Sequence, residues 1–171
     1  MTAPTLSTAR LVLRPHRPDD LDACAAMWSD PAVVRFIGGA PSTREQTWRR
    51  ILSYAGLWPL LGYGYWAVVD PSDGAYLGDV GFAHWRRALG PAFDDATEMG
   101  WALSPQAQGR GYASEAVQAA LAWADAALPR RIVCMIAPEN APSLRVAARC
   151  GFTPFDEATY AGATSILLER R

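Results

Sequence analysis

Residues 101–115, WALSPQAQGRGYASE, leave this chain few folds to choose from. A strand-like run from Thr97 to Leu103 stops at Ser104 and Pro105, a turn carrying Gln108, Gly109, Arg110 and Gly111 follows, and a helix opens directly behind it. Ala113, Ala116, Val117, Ala120, Leu121 and Ala124 recur at i, i+3, i+4, i+7, i+8 and i+11, one face of a helix. Glu115 in the first turn suits the helix dipole, and Pro129 falls just past the expected end. Strand, glycine turn and helix in this order build an anion site. Gly109 and Gly111 permit positive φ and close approach of a ligand to the backbone. Arg110 and the unpaired N–H groups of the first helical turn, at Tyr112, Ala113 and Ser114, favour negative charge, so a diphosphate can rest there without a metal. The plainer reading of the glycines is a sharp turn that needs them for geometry alone.

Two other phosphate loops do not fit the letters. A P-loop requires a lysine after its second glycine, whereas all 16 basic residues here are arginine, which also excludes lysine Schiff-base chemistry. A dinucleotide fingerprint requires GxGxxG, and its third glycine position is Ser114.

The rest of the chain reads as alternating strands and helices. Arg10 to Arg14 is a first strand, ended by Pro15 and Pro18. Asp19 and Asp20 cap a helix with Leu21, Cys24, Ala25 and Trp28 on one face, and Pro31 closes it. Val33 to Ile37 links it to Gly38 and Gly39, after which Ser42 and Glu45 form a capping box for a second helix bearing Trp48, Ile51, Leu52 and Ala55 on one side. Tyr63–Val69 and Tyr76–His84 make an antiparallel hairpin turned through Pro71, Asp73 and Gly74, and residues 86–93 form an exposed loop. After the helix over 112–126, Arg131 to Ala137 is a buried strand. Asn140 caps a helix with Leu144, Ala147 and Ala148 inward, Gly151 stops it, and Phe152–Tyr160 with Ser165–Leu168 closes as a hairpin near Gly162.

Length and composition fit one domain over 1–171 with a substantial core, since half the residues are hydrophobic. With net charge −1 and no basic block, no nucleic-acid partner is expected. The arginine pairs at 49/50, 86/87, 130/131 and 170/171 read as solvated faces. Cys24, Cys134 and Cys150 lack metal spacing and suit buried thiols in a reducing compartment. The first ten residues hold no apolar signal core and no run approaches the length of a membrane span, so a cytoplasmic protein without membrane attachment is expected. With His16 and His84 as the sole histidines, a three-histidine metal site is impossible, no metal is expected, and GxSxG is absent. Elimination favours chemistry in which a cofactor carries the reactive group.

QGRGYA, residues 108–113, resembles the [QR]xxGx[GA] acetyl-CoA pyrophosphate loop of the GNAT superfamily of N-acetyltransferases. TARLVLRP, GYGYWAVV, GDVGF, EMGWALSP and NAPSLRVAARCGF continue the resemblance in order over residues 8–152, nearest to the branch of bacterial ribosomal-protein N-terminal acetyltransferases. The resemblance implies an α/β (α+β) domain whose mixed, mostly antiparallel sheet, flanked by helices, is splayed between its fourth and fifth strands. It implies acetyl-CoA as co-substrate and a primary amine as acceptor, either a protein N-terminus or a small molecule, attacked directly in a ternary complex. The loop 108–113 would hold the pyrophosphate, with Ser114 a further cofactor contact. Backbone groups of the strand before it, Trp101, Ala102 and Leu103 among them, would meet the thioester, and Asn140 would touch the pantetheine or simply cap its helix.

Glu98 matches the branch's glutamate and is the candidate general base; an ordinary glutamate near 4.3 suits an amine poorly, so it would act through water or with a raised pKa. The alternative is a strand carboxylate that binds the ammonium or pairs with an arginine. Many family members place a tyrosine seven residues after the asparagine, but that position here is Ala147. Ser143 matches the branch's serine and would help protonate the thiolate, or else satisfies backbone groups at its helix start. The segment between the first two helices walls the acceptor site in the family, making Phe36, Ile37 and Trp48 either substrate contacts or core residues. His84 is either structural or a substrate contact. The pocket segments 33–39, 63–69 and 80–86 hold no acid, which favours a mono-amine such as a peptide N-terminus over a polycation. Cys134 and Cys150 are not expected to be nucleophiles. A homodimer is compatible with the sequence, as is a non-catalytic acyl-CoA binding or sensing module, which the missing tyrosine would suit.

Overall fold

Period-two alternation in the central hairpin sorts its side chains onto two covered faces. The computed structural model describes residues 2–128 and 131–171; Pro129 and Arg130, expected to end a helix and to begin an arginine pair, lie outside the described residues. Among the described residues, eight strands form one sheet: β1 (Leu6–Ser7), β2 (Val12–Arg14), β3 (Tyr65–Val69), β4 (Tyr76–Ala83), β5 (Thr97–Leu103), β6 (Ile132–Ile136), β7 (Thr153–Tyr160) and β8 (Ala163–Arg170). Their order is β1-β2-β3-β4-β5-β6-β8-β7, antiparallel throughout except for the parallel pair β5 and β6. The mixed, mostly antiparallel sheet expected from the sequence is the one observed.

Every residue of β3 and β4 is buried because helices cover both faces. Trp66, Val68, Val80 and Phe82 pack with Val117, Ala120, Leu121 and Ala124 of α5 (Tyr112–Ala127). Ala67 and Tyr76 pack on the opposite face with Cys24, Met27 and Trp28 of α1 (Leu21–Ser29) and Ile51 of α3 (Arg44–Leu61). The alanines of α5 let its axis approach the sheet, while each fully buried Val or Leu contributes about 1.5–3 kcal/mol. The α5 stripe is the expected one.

Several elements depart from the sequence reading. The first strand is two, since Leu6–Ser7 adds an edge pair to Val12–Arg14. Helix α3 starts one residue late: Thr43 Oγ1 accepts from the Gln46 N–H and Gln46 Oε1 accepts from the Thr43 N–H, so Thr43 and Gln46, not Ser42 and Glu45, form the capping box. Both pairs have the same spacing, and the letters do not choose between them. Its buried face is Thr47, Ile51, Tyr54 and Trp58, leaving Leu52 and Ala55 exposed and Trp48 half-buried. The link after α1 contains a helical turn, α2 (Pro31–Val34), capped by Asp30. The loop expected over 86–93 runs into another short turn, α4 (Pro91–Asp94), which buries Phe93. In α6 (Ala141–Arg149), Ala147 is buried as expected but Ala148 is exposed, and Gly151 takes the left-handed conformation (φ +84°) behind it.

Candidate active site

Strands β5 and β6 stay paired for two residues, Thr97 with Ile132 and Glu98 with Val133, and then part. The divergence frees the β6-facing backbone of Met99 to Leu103 and opens a cavity of about 940 Å³. Met99, Gly100, Trp101 and Ala102 form one wall, and Cys134 to Ala137, Asn140 and Ser143 the opposite one. Trp28, Arg50, Tyr54 and the link Arg35 to Gly39 also line it, as do Tyr160 and Ala161 of the β7–β8 turn. Among the described residues no group of His, Cys, Asp or Glu is placed to hold a metal ion.

The anion turn lies past the end of β5 and does not line this cavity. Gln108 Nε2 donates to the Leu103 carbonyl (3.0 Å), pinning the turn to the strand. Gly109 and Gly111 take φ of +73° and +80°, and a Cβ on Gly109 would meet only open space. The first intrahelical bond of α5 runs from Glu115 N–H to the Gly111 carbonyl and no side chain caps the helix, so the N–H groups of Tyr112, Ala113 and Ser114 have no intrahelical partner. Arg110 and Arg10 both stack on the Tyr112 ring, with guanidinium carbons 4.9 and 4.8 Å from its centre. Glu115 does more than complement the dipole. It accepts from Thr8 Oγ1 (2.6 Å) and Arg10 Nε (2.7 Å), tying the β1–β2 turn to the start of α5.

Glu98 lies at the point of divergence, its side chain 8% exposed. Both oxygens accept from Arg87, at 2.7 Å from Nε and 2.8 Å from Nη2. Burial pushes the Glu98 carboxyl above its ordinary value, with the Arg87 guanidinium pulling against it. Arg86 and Ala88, on either side of Arg87, hold positive φ of 54° and 60°, a conformation costing such residues about 1–3 kcal/mol each. Arg87 also lies over the Tyr160 ring (4.8 Å).

Of the predicted acceptor contacts, Phe36 and Ile37 line the cavity. Trp48 lines a separate shallow depression with Pro18, Leu21, Arg44 and Glu45. His84 Nε2 sits against the Asp94 carbonyl oxygen, and His84 is not among the residues that line the cavity. Asn140 Oδ1 accepts from the Ser143 N–H (3.2 Å), and both residues line the cavity, so capping and ligand contact are compatible. Trp101 and Ala102 line it, and Leu103 is covered.

Sequence reasoning missed Arg87, which resembled a solvated pair, and Tyr65. The Tyr65 hydroxyl sits where a Cβ on Gly100 would come within 2.3 Å, and its ring stacks on Tyr54 at 4.2 Å. Burial holds the hydroxyl protonated, well above its ordinary pKa. Gly100, a glycine in mid-strand, was the available signal for such an approach.

A family model for the acetyltransferase (GNAT) domain matches residues 10–153. The chain belongs to the GNAT family of acetyltransferases. It is similar to uncharacterized N-acetyltransferase p20 of Bacillus licheniformis, 30% identical over 144 residues that cover 83% of this chain and 78% of that protein. Among solved structures it resembles a Bordetella pertussis protein assigned to the GnaT acetyltransferases, with TM-score 0.87, 38% identity and coverage of 99% and 100% of the two chains. The ribosomal L7/L12 α-N-protein acetyltransferase RimL, solved with coenzyme A, shares the fold at TM-score 0.79 and 20% identity, covering 98% of this chain and 97% of that one. This GNAT domain is therefore an N-acetyltransferase of a family that uses acetyl-CoA as co-substrate and amines as acceptors.

Proposed function

We propose that this GNAT domain transfers acetyl from acetyl-CoA to a primary amine by direct attack within a ternary complex. The observation that carries the reading is the parting of β5 from β6 beside a helix start with free N–H groups. The residues fit the co-substrate: the turn 108–114 would hold the pyrophosphate, and Asn140 with the frayed edge of β5 would hold the arm. Acetyl-CoA supplies the activated acyl group. The chain's own work is to position and to handle protons.

The β6-facing backbone N–H groups between Met99 and Leu103 stabilise the carbonyl oxygen as it gains charge. Glu98 accepts the amine's proton through a water, since each carboxylate oxygen engaged by Arg87 keeps a second lone pair. Arg87 fixes the carboxylate's orientation. Ser143, on the cavity wall, supports the leaving sulfur, and the protonated Tyr65 hydroxyl on the Gly100 side is a second donor. Burial raises the thiol pKa of Cys134 and Cys150, which argues against a thiolate nucleophile. Three buried free thiols suit a reducing cytoplasm. Phe36 and Ile37 contact the acceptor, a peptide N-terminus or a small-molecule amine.

Free-thiol release from acetyl-CoA, followed spectroscopically with N-terminal peptides, amino acids, polyamines and aminoglycosides, tests this. Amine-dependent release is expected. Tight acetyl-CoA binding without release for any amine would overturn it.

A further inference from the structure

Arg50 of α3 lines the cavity beside Trp28 and Tyr54. Its guanidinium lies 3.7 Å over the Trp28 ring, Nη1 reaches the Tyr54 hydroxyl at 3.5 Å, and Nε is buried without a hydrogen-bond partner. Among the described residues no carboxylate stands within ion-pair distance of it.

The acids nearby are occupied. Asp79 accepts from Trp28 Nε1 (2.9 Å) and the Tyr76 hydroxyl (2.5 Å) and is bonded to His16 Nε2 (2.7 Å). Glu98 is ion-paired with Arg87 through one bond to each oxygen. Arg35, exposed and over the Phe36 ring, adds a second positive charge to the same cavity lining. Glu139, also in the cavity lining, is next to Asn140 on the opposite wall.

No carboxylate bonds this half-buried guanidinium directly, the Asp79 charge favours it only from farther off, and a guanidinium over an indole keeps N–H donors that suit a carboxylate. The nearly fully buried Trp28 and Tyr54 flank it, so an anion bound there ends the molecule in that direction.

We propose that Arg50 binds a carboxylate of the acceptor, and that the amine acetylated here belongs to a small amino carboxylate, of which a free amino acid is the simplest. The inference rests on the acetyl-transfer reading and narrows its acceptor. Arg50 holds the carboxylate beside Trp28 and Tyr54 while the amine points toward Glu98, and the exposed Arg35 adds to the attraction for the anion.

The test compares free amino acids with their C-terminal amides, at pH values that match the fraction of uncharged amine, and adds short peptides beginning with Ser or Asp. With the unaltered protein, kcat/KM is expected to favour the acids by at least about tenfold, the range for a hydrogen bond to a charged group. Arg50→Gln should remove that preference while leaving acetyl-CoA affinity within about twofold. Equal rates for acids and amides, or faster reaction of Ser-initial peptides, would overturn the proposal. Preference for Asp-initial peptides over free amino acids would overturn the small acceptor. Comparing acid and amide on the unaltered chain keeps the test independent of whether the variant folds. If no amine is acetylated, calorimetry of the same pairs in the presence of coenzyme A decides: tighter binding of the acids upholds the Arg50 site although the transfer reading has failed, and equal binding removes both.

Discussion

Arg87 and Glu98 hold each other through two near-parallel bonds, 2.7 and 2.8 Å long, at the residue where β5 leaves β6. The pair fixes the carboxylate at the root of the cleft and couples its proton affinity to a cation on a strained loop. Glu98→Gln is expected to lower kcat by about 10²- to 10⁴-fold, the usual worth of a positioned base, with acetyl-CoA affinity nearly unchanged. Steady-state kinetics and calorimetry on the same preparation check this. Unchanged turnover would leave Glu98 with the structural role alone.

Arg87→Leu probes the same pair from the other side. Burial already raises the Glu98 carboxyl, and removing the cation leaves nothing on Arg87's side to oppose it. A general base at Glu98 would work when ionised, so the acidic limb of the kcat–pH profile should move to higher pH. A limb that stays in place while kcat falls would show that Arg87 acts only on geometry.

At the anion turn, Gly109→Ala adds a methyl where φ is +73° and no protein atom lies within 4 Å. The cost to folding is then backbone strain alone, about 1–2 kcal/mol. Acetyl-CoA affinity should fall about tenfold and weaken further with salt, because a diphosphate on free N–H groups between two arginines is an electrostatic contact. Calorimetry at two ionic strengths measures both; an unchanged affinity would place the pyrophosphate elsewhere.

What the letters disclosed was local. The strand over 97–103, the glycines at 109 and 111, the α5 stripe and the Asn140 cap each depend on neighbours within a few positions, and each stands as expected. Relations set by tertiary packing were not legible. The face of α3 rotated because the sheet offers Thr47, Ile51, Tyr54 and Trp58 a better seat than Leu52 and Ala55, and that rotation brings Arg50 into the cavity wall. Arg87 reaches Glu98 through Arg86 and Ala88 at positive φ, a choice that sequence propensity speaks against. Leu6–Ser7 is too short for any period to show.

Acid stability should depend on Asp20. Burial opposes its charge, yet hydrogen bonds from Arg14 (2.6 and 2.8 Å) and the Arg17 N–H (2.7 Å) prevail and hold the carboxyl below its ordinary value. A depressed folded pKa contributes stability that is present above the unfolded value, about 3.9, and lost as pH falls through the folded one. The melting temperature should therefore drop steeply below about pH 4, and Asp20→Asn should flatten that drop while lowering the plateau. Parallel curves for the two proteins would remove Asp20 from the acid transition.

Asp79 lines the cavity and is a hydrogen-bond hub, satisfied by Trp28, Tyr76 and His16 on two buried oxygens. Asparagine has the same shape but one acceptor oxygen, and its amide would turn two N–H donors toward groups that are themselves donating. The Trp28 N–H or the Tyr76 hydroxyl then loses its acceptor in the core, at about 1–3 kcal/mol for each group left unpaired. Asp79→Asn is expected to lower unfolding free energy by about 2–4 kcal/mol in urea titrations. Because Trp28 also carries the Arg50 guanidinium, the same variant should raise KM for the acceptor more than for acetyl-CoA. Equal changes in both constants would mean that the network supports the fold as a whole and not the acceptor end in particular.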